Sequence, residues 1–150
     1  MIPRYDKNEM SNLWTDEYKF TCFLKAELAL MKAWEVKGLF PKGSVEKVEN
    51  NLKINIQRIN EIEAETKHDV IAFCSSITEQ MPPEISKFFH FGVTSSDIID
   101  TALSLQLKES LNLIIPSLKE VCQTLLLKSK EYKDILCMGR SHGMYAEPMS

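Results

Sequence analysis

The chain has 150 residues, a formal net charge of −3 at neutral pH and a hydrophobic content of 44%. That length suits a domain of ordinary size with an ample apolar core. The slightly acidic balance gives no reason to expect a nucleic-acid partner or an anionic membrane surface, and no apolar run approaches the ~20 residues that span a bilayer.

The four cysteines, Cys22, Cys74, Cys122 and Cys137, form no C-x-x-C pair. With no signal peptide at the N-terminus, they read as reduced thiols of a cytoplasmic protein. Three histidines without an H-x-x-x-H spacing predict no metal site.

The opening Met1–Asp6 is expected to be extended, because Pro3 biases Ile2 away from helix. Asn8 to Trp14 can form one or two helical turns. Thr15 is a good N-cap, and Asp16 and Glu17 suit the positive end of the helix that follows. That helix is predicted to run to about Lys37, where Gly38 stops it. Its apolar face holds Phe20, Phe23, Leu24, Met31 and Trp34 at helical spacing. Glu27 projects onto the same face, and a buried carboxylate needs a partner. An ion pair with another helix is the structural expectation, a catalytic role the alternative.

Ser44 is expected to cap a short helix over Val45–Lys53, and a second short helix is expected over Asn55–Thr66 with an Ile56, Ile59, Ile62 stripe. Lys67-His68-Asp69 breaks that pattern, and Asp69 is expected to cap a helix through Ile77. Met81-Pro82-Pro83 ends it, Glu84–Phe89 gives a short helical turn, and His90–Thr94 a loop. Ser95 or Ser96 is expected to cap the next helix, with Asp97 and Asp100 in its first turn.

This last helix is the main architectural clue. Ser96 to Lys133 contains no glycine and a single proline, Pro116. Unbroken, it is about 57 Å long, whereas a compact chain of this size is about 40 Å across. Pro116 has no N–H and crowds the Asn112 carbonyl, which predicts a kink or break. Ile98, Ile99, Ala102, Leu103 and Leu105 lie on one side. Leu107, Leu111, Ile114, Leu118, Cys122, Leu125 and Leu126 shift to another. A helix apolar on more than one face is buried on more than one face, so more chain or other subunits must cover it. No convincing strand run is present.

All three histidines fall at loops or helix boundaries, where charged and hydroxyl neighbours can set their protonation. His68 stands between Lys67 and Asp69. His90 precedes Phe91-Gly92 and Thr94-Ser95-Ser96, a run that also suits an anion at a helix start. His142 stands in Gly139-Arg140-Ser141-His142-Gly143.

Taken together, these segments resemble the N-terminal part of the adenylosuccinate lyases, a family of the fumarase/aspartase superfamily. The similar segments run in order over the whole chain: Met1-Ile2-Pro3-Arg4-Tyr5 with Glu9-Met10 and Leu13-Trp14, then Lys67-His68-Asp69-Val70, then His90 to Asp97, then Gly139 to Pro148. The resemblance implies an all-α fold: a small helical domain over 1–111, then over 112–150 the start of a central bundle of long helices. It implies a homotetramer with active sites shared between subunits, no cofactor and no metal. The reaction implied is β-elimination of fumarate from adenylosuccinate, giving AMP, and from the succinyl-carboxamide ribotide of purine synthesis.

By this resemblance His142 is the general acid and His68 assists or orients. Thr94 and Ser95 hold succinyl carboxylates, Arg4 and Tyr5 bind the nucleotide phosphate, and Lys67, His68 and Asp69 line the nucleotide side. His90 and Ser141 are possible further members. Two positions depart from the pattern: Tyr145 stands where many members have a second histidine, and Ser141 where threonine is common. The family's serine base belongs to a loop outside these residues, so the 150-residue chain alone is expected to be inactive. Two other readings stay open: a superfamily lyase acting on argininosuccinate, malate or aspartate, and a non-catalytic helical scaffold that oligomerises through Ser96–Lys133.

Overall fold

The computed structural model describes residues 2–150. The chain divides into two compact units, the first ending at Ser110 and the second running Leu111–Ser150. The elements are α1 (Asn8–Asn12), α2 (Asp16–Val36), α3 (Ile56–Thr66), α4 (Asp69–Thr78), α5 (Pro83–Ser86), α6 (Ser95–Tyr132), β1 (Cys137–Ser141) and β2 (Met144–Met149). A single 3-10 turn over Pro3–Tyr5 replaces the extended opening.

The first unit is built on α2. Thr15 caps it as expected, its hydroxyl accepting the Tyr18 N–H at 3.2 Å, and Gly38 follows its end with a φ of +75°. The apolar face then meets α4: Phe20, Phe23 and Phe73 form a triangle with ring centroids 5.4 to 5.7 Å apart. Phe73, Met31, Ile59 and Ile77 are fully buried there. Asn55 caps α3 through the Arg58 N–H, and α3 packs on α4. Arg58 grips Glu79 at the end of α4 through both nitrogens of its fork, at 3.0 and 2.7 Å.

Several local expectations are corrected. Val45–Lys53 is a series of turns, not a helix. The Ser44 hydroxyl turns back to the Pro41 carbonyl at 2.7 Å, and the Val45 N–H is taken instead by the buried Glu35 carboxylate at 2.7 Å. Burial raises the Glu35 carboxyl, but the Val45 N–H and Lys32 outweigh it and hold the group below its ordinary range. The cap of α4 is His68 and not Asp69. Helix α6 begins at Ser95, one residue past its effective cap. The Asp97 carboxylate reaches back to the Thr94 N–H at 2.8 Å, the reciprocal half of a capping box.

Helix α6 runs through Pro116 without a break. A proline inside a helix forfeits one hydrogen bond, at about 3 kcal/mol, and the Ser117 hydroxyl adds a bond to the Leu113 carbonyl at 3.4 Å. In the first unit Ile98, Ala102, Gln106 and Ser110 make the buried stripe of α6, and the Gln106 amide donates to the Leu13 carbonyl at 2.7 Å.

In the second unit no described residue is buried. Leu111, Ile114, Leu118, Val121 and Leu125 are all exposed. The unit also holds a feature the sequence reading missed. β1 and β2 form an antiparallel hairpin, joined by His142 and Gly143, both at positive φ.

Candidate active site

Three segments carry the histidines, and each contains a strained backbone position. Among the described residues the non-glycine positions with positive φ are Lys67, His90 and His142, at 55°, 58° and 50°. Such conformations cost about 1–3 kcal/mol each and persist only where the surroundings impose them. They coincide with the three segments singled out for their chemistry.

Lys67 ends α3 in the left-handed conformation and turns the chain so that His68 starts α4. The His68 Nδ1 accepts the Ile71 N–H at 3.4 Å. That cap needs a bare Nδ1, so the ring proton lies on Nε2. Nε2 faces the Ser95 hydroxyl at 3.5 Å. Two of the predicted residues, 27 positions apart, are thus brought together at the starts of α4 and α6. Asp69 stands 3.7 Å from the same imidazole but turns its carboxylate to the Val70 N–H at 2.8 Å.

At Thr94 the expected donor set is smaller than the sequence suggested. Its N–H is occupied by Asp97, which leaves the hydroxyls of Thr94 and Ser95 and the first amides of α6 as the groups able to hold a carboxylate. Arg4 and Tyr5 lie together in the opening 3-10 turn, the guanidinium 4.8 Å from the ring centroid. Both are exposed and free to meet a ligand.

His90 is tied to Glu27. The fully buried carboxylate meets the ring Nδ1 at 2.6 Å on one oxygen and takes the His90 backbone N–H at 3.2 Å on the other. The Cys74 thiol approaches the first oxygen at 4.0 Å. Burial pushes the Glu27 carboxyl above its usual range, and the bonds from His90 pull it back. Burial, then the Glu27 charge, push the Cys74 thiol up to about 12. Glu27, Cys74 and His90 are the group among the described residues whose donor atoms lie close enough to share an ion. The 2.6 Å contact is that of a short hydrogen bond between the ring and the carboxylate. Glu27 was expected to pair with another helix; its partner is this loop.

In the second unit His142 occupies the first central position of a two-residue hairpin turn with positive φ throughout, followed by Gly143. This is the primed turn whose twist fits two antiparallel strands. The turn presents His142 and Ser141 exposed at the tip. Tyr145 pairs across the hairpin with Arg140, whose guanidinium lies 4.8 Å from its ring centroid. Asp97 and Trp34, read from the sequence only as a first-turn acid and an apolar-face residue, each hold part of a histidine or hydroxyl segment. The Trp34 indole donates to the Phe91 carbonyl at 3.1 Å and fixes the loop after His90.

A family model described as lyase matches residues 4–150. The chain belongs to this lyase family. It is 45% identical over its whole length to an adenylosuccinate lyase of Thermotoga maritima, and 42% identical over 148 residues to one of Staphylococcus saprophyticus. It spans about a third of the length of these relatives, 35% and 34%. Its mainly helical fold is similar to that of a fumarate lyase from Mesorhizobium sp., with a TM-score of 0.86 at 21% identity, over 95% of this chain and 34% of that one. A 3-carboxy-cis,cis-muconate lactonizing enzyme from Pseudomonas putida gives a TM-score of 0.88 at 25% identity, over 96% and 34%.

Proposed function

We propose that these residues are the acid-side portion of an adenylosuccinate lyase of purine biosynthesis, a cytoplasmic homotetramer with shared active sites. The reaction removes a proton from the carbon beside a succinyl carboxylate and breaks the neighbouring C–N bond, releasing fumarate. The departing nitrogen is a poor anion and must be protonated as it leaves. His142 gives that proton, and positioned proton transfer contributes about 10²–10⁴ in rate. His68, with its proton on Nε2, donates rather than accepts, and orients substrate together with Ser95. Thr94 and Ser95 hold carboxylate through their hydroxyls, and Arg4 and Tyr5 hold phosphate. Lys67 and Asp69 line the nucleotide side. The base comes from outside residues 1–150.

The observation that carries this reading is the His68–Ser95 contact at 3.5 Å, in a chain 45% identical throughout to an adenylosuccinate lyase. The exposed apolar residues of α6 support assembly, because a chain seldom leaves so large an apolar surface in water. The test is a chimera in which residues 1–150 replace the matching segment of the Thermotoga maritima relative. The chimera is expected to release fumarate from adenylosuccinate, and from the succinyl-carboxamide ribotide, while the 150-residue chain alone releases none. A chimera that assembles but acts only on argininosuccinate, malate or aspartate overturns the substrate assignment. Turnover by the isolated chain overturns the location of the base.

A further inference from the structure

The buried face of α2 carries two carboxylates: Glu35 near its end, which Lys32 and the Val45 N–H answer, and Glu27 in its middle. Phe20, Phe23 and Met31 on that face are buried, and so is Glu27, with none of its surface exposed. A leucine or methionine would continue the stripe. Stability alone gives little reason for a carboxylate there: taking a charge out of water costs several kcal/mol, and replacing a buried ion pair by apolar side chains is often neutral or favourable.

The geometry of the exception is specific. Both oxygens of Glu27 go to one residue, one to the His90 ring and one to its backbone N–H, at 2.6 and 3.2 Å. The carboxylate therefore fixes the ring and the left-handed backbone together. One turn pair further along the same face, Trp34 anchors the next stretch through the Phe91 carbonyl at 3.1 Å. Any Cβ at Gly92 would stand 3.4 Å from that indole. Glu27 and Trp34, seven residues apart on α2, thus hold residues 90–92 from one side. The consequence is a tautomer opposite to that of His68. His68 has a bare Nδ1, used as a cap. At His90 an ionised Glu27 can only accept, which puts the ring proton on Nδ1 and leaves the partly exposed ring with Nε2.

We propose that Glu27 is a positioning residue: it locks His90 with Nδ1 protonated and presents Nε2 as the one ring nitrogen able to meet substrate. The arrangement is that of a buried carboxylate orienting an imidazole. The proposal rests on the reading that this loop borders the lyase site.

Two measurements test it. In the 150-residue chain labelled with nitrogen-15 at histidine, the His90 signals are assigned by their loss in His90→Ala. Nδ1 is expected to show the shift of a protonated ring nitrogen. Glu27→Leu, which suits the apolar stripe, is expected to let the proton move between the two nitrogens. In the chimera, Glu27→Gln is expected to lower kcat/KM about 10–100-fold, the usual range for such supporting partners. The double variant with His90→Ala is expected to be no worse than His90→Ala alone. A bare Nδ1 in the unaltered chain overturns the proposal, as do effects that multiply in the double variant. If the unaltered chimera makes no fumarate, the reaction assignment fails instead, and the ring-nitrogen measurement decides the Glu27 lock by itself. It decides likewise if Glu27→Leu does not fold.

Discussion

The first unit buries its apolar side chains and the second exposes them. Helix α6 belongs to both and makes the contrast within one element. Its residues up to Ser110 set Ile98 and Ala102 into a core, while Leu111, Leu118 and Leu125 meet water. The histidines follow the same division. His68 and His90 are each fixed by a second contact from elsewhere in the first unit, whereas His142 sits exposed on a hairpin tip. One unit carries its own support. The other leaves its apolar side chains and its histidine exposed.

The sharpest way to break this comparison is at His142. In the chimera, His142→Gln is expected to lower kcat by about 10²–10⁴ with the oligomer intact on a sizing column. An unchanged rate would reduce the hairpin to a structural element and leave the scaffold reading standing.

The next test is the core itself. In the isolated chain, Phe73→Ala is expected to cost about 3–5 kcal/mol, read from denaturant unfolding. Leu118→Ala is expected to stay within about 0.5 kcal/mol, as surface changes do. Placed in the chimera, the same Leu118→Ala is expected to weaken assembly. Equal costs for the two changes in the isolated chain would mean that residues 111–132 are already packed.

The smallest effect concerns the thiols. Cys122 and Cys137 are exposed, Cys22 is buried and Cys74 lies beside the Glu27 carboxylate. In the isolated chain a disulfide reagent is expected to modify Cys122 and Cys137 quickly and the other two slowly. At pH 9 an ordinary thiol, with a pKa near 8.5, is mostly thiolate. Cys74, pushed up to about 12, is expected to remain slow there. Four thiols reacting at one rate would show that the first unit does not hold its core closed.

Much of the helical frame was legible because its signals are local. The Thr15 cap and the Gly38 stop each act within a few residues. What was not legible depended on contacts across the chain. The region after Ser44 is a series of turns, and its first amide is held by Glu35, ten residues earlier. Asp69 yields the cap to His68 because the left-handed Lys67 brings the imidazole, not the carboxylate, over the Ile71 amide. The hairpin was missed because Met138-Gly139-Arg140 and Tyr145-Ala146-Glu147-Pro148 lack alternation and β-branched residues. The one available signal was the His142-Gly143 pair itself, a residue tolerant of positive φ followed by glycine. In the candidate site the histidine segments stood out by their neighbours. Glu27 stood out as polar on an apolar face, but the loop that answers it could not be read from α2.

Gly139 sits where the hairpin changes register. Met138 pairs with Pro148 and Arg140 with Tyr145, so two residues of β2 face this single glycine. A Cβ there would lie 2.9 Å from the Glu147 carbonyl and 3.1 Å from the Met149 sulfur. Only one alignment of the two strands puts the residue without a side chain against that carbonyl. Gly139 therefore works as an index mark: it selects one pairing among those the strands could slide into, and so decides which residues end up at the tip.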